Sequence, residues 1–489
     1  MRKTYKKTLP EAIDFSVSDL NRESWPPFLS EGRFTLMEPR ENVMGTKPVF
    51  PLLMSMSIPP MVSMLIQAMY NVVDSIFVAR ISEKALTAVS LAYPLQNLIL
   101  AVAVGYGVGI NACIAKSLGA RKQEETNRAA AHGILFTLLH SILFVLIGLF
   151  LTKPFLGFFT SDPETFSMGC SYTYIVVCLS FGSIFHIYIE KMFQATGNMI
   201  MPMILQAAGA LANIILDPIM IFGLFGFPAM GVAGAAIATV AGQMLACGLA
   251  VLLFIKKEKQ IHISFKGFQF DRATAAKIYS IGIPSCIMLS LPSLLVGILN
   301  ALLTSFSSLA VAVFGLYYKF QSFVYMPENG IIQGMRPIMS YNYGAGYLKR
   351  MKETVTCSMI SCGAILAVGT VLFLAVPGPI MGMFGAEGEM LEMGISCLRL
   401  ISLGFIFSAA GTVFCGCFEA LGQGLYSLIV SLIRQLVVIP PLALVLSESM
   451  GLPGVWLSFP VAEILAAGIG WILYKKQMRQ VKKEIGAER

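Results

Sequence analysis

Charge is what this sequence has least of. Asp, Glu, Lys and Arg together supply 13% of its 489 residues while 56% are hydrophobic, against roughly 25% charged in a soluble globular chain. That balance excludes a soluble domain of this size and leaves an all-α, polytopic membrane protein. Histidine is nearly absent, with four residues. His132 and His140 stand far in sequence from any intramembrane acid and read as satisfied interior side chains. The ten cysteines lie in or beside apolar runs with no CxxC pair and no His/Cys ligand spacing, Cys415 and Cys417 being nearest neighbours. They read as small core residues, so neither a disulfide framework, a metal site nor a bound cofactor is expected. A nucleophile with a base at helical spacing is also missing, which argues against an enzyme. The net charge of +8 sits on no soluble basic patch and so gives no reason to expect nucleic acid.

Long apolar runs dominate instead. Twelve are of spanning length, near 51–79, 86–113, 128–152, 166–190, 200–222, 231–255, 273–303, 310–340, 354–377, 390–418, 424–447 and 452–474, each allowing the roughly 20 helical residues a bilayer requires. With the N-terminus inside, Lys116, Arg121, Lys122, Lys256, Lys257, Lys259, Lys349 and Arg350 fall on inner connections, and only Arg80, Lys84 and Lys153 on outer ones. This positive-inside asymmetry predicts a multi-pass protein of the cytoplasmic membrane with both termini cytoplasmic. Residues 1–47 are polar and broken by Pro26, Pro27 and Pro39. They read as a disordered cytoplasmic tail. The remaining divisions are a first lobe at 48–256, a cytoplasmic linker at 257–272, a second lobe at 273–475 and a short tail at 476–489.

The lobes are repeats. Ile58-Pro59 recurs as Ile283-Pro284, Gly109 as Gly334, Gly119-Ala120 as Gly344-Ala345, and FQATG from Phe193 as FEALG from Phe418, always at the same offset along the chain. A constant offset spanning six helices implies two parallel six-helix units with a cavity between them. The repeat also exposes what is not repeated. Between Lys47 and Arg80 the only charge is Asp74, and between Lys191 and Lys256 the only charge is Asp217, whereas the equivalent positions of the second lobe hold Leu299 and Leu442. A carboxylate at membrane depth costs at least about 2.5 kcal/mol and by default marks a functional site.

Helical spacing sets partners beside each acid. Tyr70 and Asn71 precede Asp74 by four and three residues, Asn213 precedes Asp217 by four, and Thr239 in the next span could reach the same pocket. Pro59 can kink the first span by removing a backbone donor. Two carboxylates close together in a poorly solvated cavity cannot both ionise cheaply, so the pair suits binding and release of H⁺ or of Na⁺ at Asp74/Asp217. The other intramembrane charges, Glu190 with Lys191, Arg399, Glu419, Arg434 and Glu463, read mainly as ion pairs within a lobe. Glu190 and Glu328 are secondary candidates, Glu328 because it lies mid-span beside Pro327 and Asn329 where it could meet a cationic substrate.

The stretches YNVVDSIFVARI, FQATGN, NIILDPIMIFG, GVAGAAIATVAGQ and QGMRPIMSYNYGAG resemble the multidrug and toxic compound extrusion (MATE) family, in its MepA-like bacterial branch, and the likeness runs from about Met37 to the C-terminus. The resemblance implies twelve helices in two six-helix lobes around a V-shaped cavity, and a functional monomer that exports amphipathic organic cations across the lipid bilayer in exchange for H⁺ or Na⁺. It assigns ion coupling to Asp74, Asn213, Asp217 and Thr239 and the kink to Pro59. Relatives with a second-lobe cation site use acids on helices seven and ten, and span seven here has none. The rival reading is a lipid-linked oligosaccharide or lipid flippase of related architecture, which would need a cationic cavity for pyrophosphate.

Overall fold

A computed structural model describes residues 42–263 and 268–487. The described residues form helices without strands: α1 (Val43–Thr46), α2 (Val49–Ala79), α3 (Glu83–Gly119), α4 (Gln123–Phe159), α5 (Pro163–Cys178), α6 (Phe181–Ala195), α7 (Ile200–Phe222), α8 (Gly231–Lys257), α9 (Arg272–Thr304), α10 (Ser308–Gly344), α11 (Leu348–Ala375), α12 (Pro377–Gly382), α13 (Gly388–Ser402), α14 (Phe405–Ala420), α15 (Gly424–Leu432), α16 (Ile439–Met450) and α17 (Leu452–Ala487). Ten helical stretches are long and apolar enough to span a bilayer, and two bent pairs, α5–α6 at 41° and α13–α14 at 49°, bring the number to twelve.

Local chemistry repeats with the sequence. Ser82 caps α3 by accepting from the Ala85 amide at 3.0 Å. Its repeat equivalent, Ser307, caps α10 by accepting from Ala310 at 3.1 Å, and each satisfies a donor the helix leaves open. Asp271 caps α9; its carboxyl, held by the Thr274 hydroxyl and the Ala273 and Thr274 amides, is pulled down to about 2 and so stays charged. Between α15 and α16 the chain widens into a π turn, Ile433–Val438. After Ile439 come Pro440 and Pro441, which cannot donate to the turn before them, and the ladder slips there.

The repeat is a two-fold relation in space. A Cβ added to Gly119 would lie 2.0 Å from the Tyr341 carbonyl oxygen, and one on Gly344 would lie 1.9 Å from that of Lys116. Gly344 is the repeat equivalent of Gly119 and Tyr341 that of Lys116, so the two contacts are one contact made twice. Likewise Gly105 abuts Gly282 and Cys286, while Gly330 abuts Ser57 and Met61. The lobes therefore meet backbone to backbone through α2, α3, α9 and α10, which small residues permit. Towards the other ends of the same helices Tyr93, Leu98, Leu294, Ile298 and Phe323 are exposed.

Two expected boundaries shift. Of the tail assigned to 1–47, residues 1–41 lie outside the described residues, but 42–47 are ordered against both lobes. Asn42 caps α1 and donates to the Thr196 carbonyl at 3.1 Å, while the Met44 carbonyl accepts from Asn342 at 3.1 Å and Arg350 at 3.0 Å. At the other end, residues 476–487 continue α17 rather than forming a tail. Met478 and Val481 are buried, and the Tyr343 hydroxyl donates to Glu484 at 2.7 Å. Within the linker, the Asp271 amide donates to His132 Nε2 at 2.9 Å and the His262 amide to Asn127 at 2.9 Å, tying it to α4.

Candidate functional site

In the first lobe, α2, α7 and α8 bring together side chains that lie far apart along the chain, from Tyr70 to Thr239. Asp217 and Asn213 face inward from one side of α7 and are buried. The Asn213 amide donates to Asp217 at 3.3 Å, and its nitrogen lies 3.4 Å from the Thr239 hydroxyl. Turning the amide over keeps a 3.3 Å donation to the other Asp217 oxygen and lets Asn213 accept from the Thr239 amide at 3.3 Å. Either way Asp217 has a donor. Asp74, from α2, lies beside Asp217 so that each carboxyl acts on the other, yet among the described residues its buried Oδ1 has no donor. Two acceptors facing one another need something positive between them: a shared proton or a cation.

Tyr70 joins this group and lies in the field of both aspartates. So does Tyr172 of α5, which is fully enclosed, sits in the field of Asp74 and accepts from Gln96 at 3.2 Å. Tyr172 was not expected from spacing, but the repeat carried a signal for it. Tyr70, Asp74, Tyr172, Asn213, Asp217 and Thr239 correspond, in the second lobe, to Leu295, Leu299, Cys397, Val438, Leu442 and Ile464. The polar cluster is thus built into one lobe only.

Four candidates lie elsewhere. Asn71 is exposed with Val72, Ser75 and Ile76 beside a shallow groove of about 410 Å³. At roughly 100° per residue Tyr70 and Asn71 flank Asp74 on opposite sides, and only Tyr70's side faces α7, so the expected pairing of Asn71 with Asp74 is corrected. Pro59, about 22 Å along α2 from Asp74 at about 1.5 Å per residue, is buried between Ser57 and Met61, the residues that meet Gly330. It borders the lobe contact rather than the aspartates. Glu190 accepts from Gln194 at 2.6 Å and lies 3.6 Å from Lys191, an ion pair in α6 as expected. Glu419 is paired within its own lobe, as expected. It binds Arg336 at 2.6 Å and accepts from Ser285 at 2.7 Å, while Arg434 pairs with Glu463 at 3.5 Å. Glu328 is 1% exposed and takes the Thr412 hydroxyl. Closed in this way, it does not meet a substrate in this state, contrary to the expectation for it.

The MatE family model matches residues 59–219 and again, at the repeat, 284–444. This chain belongs to the MatE family. Among its relatives, the multidrug export protein MepA of Staphylococcus aureus is 25% identical over 421 residues, covering 86% of this chain and 92% of that protein. MepA of Staphylococcus haemolyticus is 26% identical over 433 residues, covering 88% and 94%. The MatE fold is equally clear in solved structures. An outward-facing multidrug resistance MATE family transporter of the MOP superfamily superposes with a TM-score of 0.84 at 24% identity, over 91% of this chain and 99% of that one. A MOP superfamily transporter from Pyrococcus furiosus, described as having a binding pocket of reversed polarity, superposes with a TM-score of 0.83 at 23% identity, over 90% and 98%.

Proposed function

We propose that this MatE chain is a secondary active multidrug exporter that moves amphipathic, mostly cationic organic compounds out of the cell in exchange for H⁺ or Na⁺, with coupling at Asp74 and Asp217. The observation that carries the reading is the buried Asp74 Oδ1, which has no donor among the described residues and lies beside the Asp217 carboxyl. An unneutralised charge there costs at least about 2.5 kcal/mol, so the pair is stable only with a proton or cation bound, or with a cationic substrate nearby. Asp217 keeps its Asn213 donor when the ion leaves. Asp74 does not, and is therefore the group whose demand for positive charge couples ion to substrate. The lobes, closed at one end and parted at the other, suit alternating access by rocking about the α2, α3, α9 and α10 contact. The basic end, with Lys116, Lys256 and Arg350, is read as cytoplasmic. Both termini lie on that side, and the protein acts as a monomer in the cytoplasmic membrane. A flippase for pyrophosphate-linked lipids would want cationic groups where this cluster is acidic.

The test is efflux of a cationic dye from proteoliposomes under imposed pH or Na⁺ gradients. Asp74→Asn should abolish gradient-driven efflux while the protein stays folded and binds dye, and Leu299→Ala should leave coupling intact. Near wild-type pumping by Asp74→Asn would refute first-lobe coupling.

A further inference from the structure

The second lobe holds a buried polar cluster of its own, built from residues with no polar counterpart in the first. Glu328 on α10, Thr412 on α14, Arg434 in the π turn and Glu463 on α17 stand where the first lobe has Ala103, Ile187, Gly209 and Ala238. Arg434 and Glu463 satisfy one another at 3.5 Å. Among the described residues the charged groups acting on Glu328 are the Glu463 carboxylate and the Arg434 guanidinium, so that with Glu328 itself there are two carboxylates to one guanidinium. The uncharged groups around it are Tyr325 on its own helix, Cys362 on α11, and Thr412. The cluster is therefore one negative charge in surplus, and the surplus falls on the acid that lacks a cation. Glu328 Oε1 has the Thr412 hydroxyl; among the described residues the buried Oε2 has no hydrogen-bond partner. A bare carboxylate oxygen in that position is strongly unfavourable.

We propose that Glu328 is a second proton-binding site, in which one exchangeable proton resides on the carboxyl and reverses a single hydrogen bond between α10 and α14. Thr412 supplies the means. Its hydroxyl lies 3.0 Å from the Ser408 carbonyl and 3.2 Å from that of Ala409, as well as against Glu328. With Glu328 ionised, Thr412 donates to the carboxylate. With Glu328 protonated, the carboxyl O–H donates to Thr412 Oγ1, and the Thr412 hydrogen turns to the Ser408 carbonyl, so every donor keeps an acceptor. One turn away, Ser408 donates to the Tyr325 hydroxyl at 2.8 Å, giving a second rung between the same helices. Both rungs lie in the first turns of α14, just after the 49° break from α13. The site is distinct from the aspartate pair of the proposed coupling mechanism and does not depend on it. At 1% exposure the carboxyl is closed to an organic cation but not to a proton.

Infrared difference spectra of the purified full-length protein across a pH jump, in H₂O and D₂O, read protonated carboxyls directly through their C=O stretch. Glu328→Gln should remove one such component while Asp74→Asn and Asp217→Asn leave it in place, so that loss of the first-lobe signals and loss of this one are separate results. Thr412→Val, which keeps the acid and removes its partner, should shift both the frequency and the midpoint of that component. An unchanged spectrum in Glu328→Gln overturns the proposal. Should Glu328→Gln fail to fold, an unchanged spectrum in Thr412→Val does so. A component that responds to Na⁺ at fixed pH, and not to pH, would mark a metal-cation site and likewise overturn it.

Discussion

Replacing Gly344 with alanine should push this protein out of the conformation described above, and the size of the effect follows from one contact. The added Cβ would stand 1.9 Å from the Lys116 carbonyl oxygen, and ordinary contact begins at 3.4 Å. The obstructing atom is backbone in the opposite lobe, so no side-chain rotation relieves it, and the lobes must separate locally by roughly 1.5 Å, the difference between those distances. Overpacking of this kind costs about 1–3 kcal/mol. The gain in helix propensity from Gly to Ala is present whether the lobes are together or apart and cancels. The whole cost therefore falls on the equilibrium between the two arrangements, and about 2 kcal/mol is a population change of roughly 30-fold. Genetically encoded spin labels at Glu124 and Lys349, exposed positions on opposite lobes at the closed end, would report a longer distance distribution in Gly344→Ala, and Gly119→Ala should reproduce it through the two-fold related contact. Gly363→Ala, where the added methyl meets nothing within 4 Å, is the control. Unchanged distances in both interface variants, with transport at the wild-type rate, would refute the claim that these glycines hold the lobes together.

Asp217→Asn should leave the fold and the Asn213 and Thr239 contacts in place but lower the number of protons or Na⁺ ions released when a cationic dye binds, because an amide does not titrate; release at the wild-type level would make Asp217 structural. Arg336→Ala should strip Glu419 of its cation in a buried site and lower stability by about 3–5 kcal/mol, with Glu419→Gln in the same chain restoring a large part. A double variant melting as low as Arg336→Ala alone would show that the pair does not account for the loss.

Much of this was legible in the sequence because membrane helices obey simple constraints. Apolar run length set the number of spans, and a constant offset between matching motifs located both the duplication and, by subtraction, the two aspartates that break it. The same subtraction applied to every polar residue would also have found Tyr172, whose counterpart is Cys397, and the Glu328 group. Three-dimensional packing decided the rest. Spacing along one helix places Tyr70 and Asn71 equally near Asp74, and only the position of α7 selects Tyr70. Which cation Glu419 meets, Arg336 of α10, depends on which helices touch, as does the ordering of residues 42–47, whose carbonyls find Asn342 and Arg350 in the other lobe. A one-dimensional pattern records which side of its own helix a group occupies; which neighbour fills that side is settled by the docking of two lobes through glycines that let backbones touch.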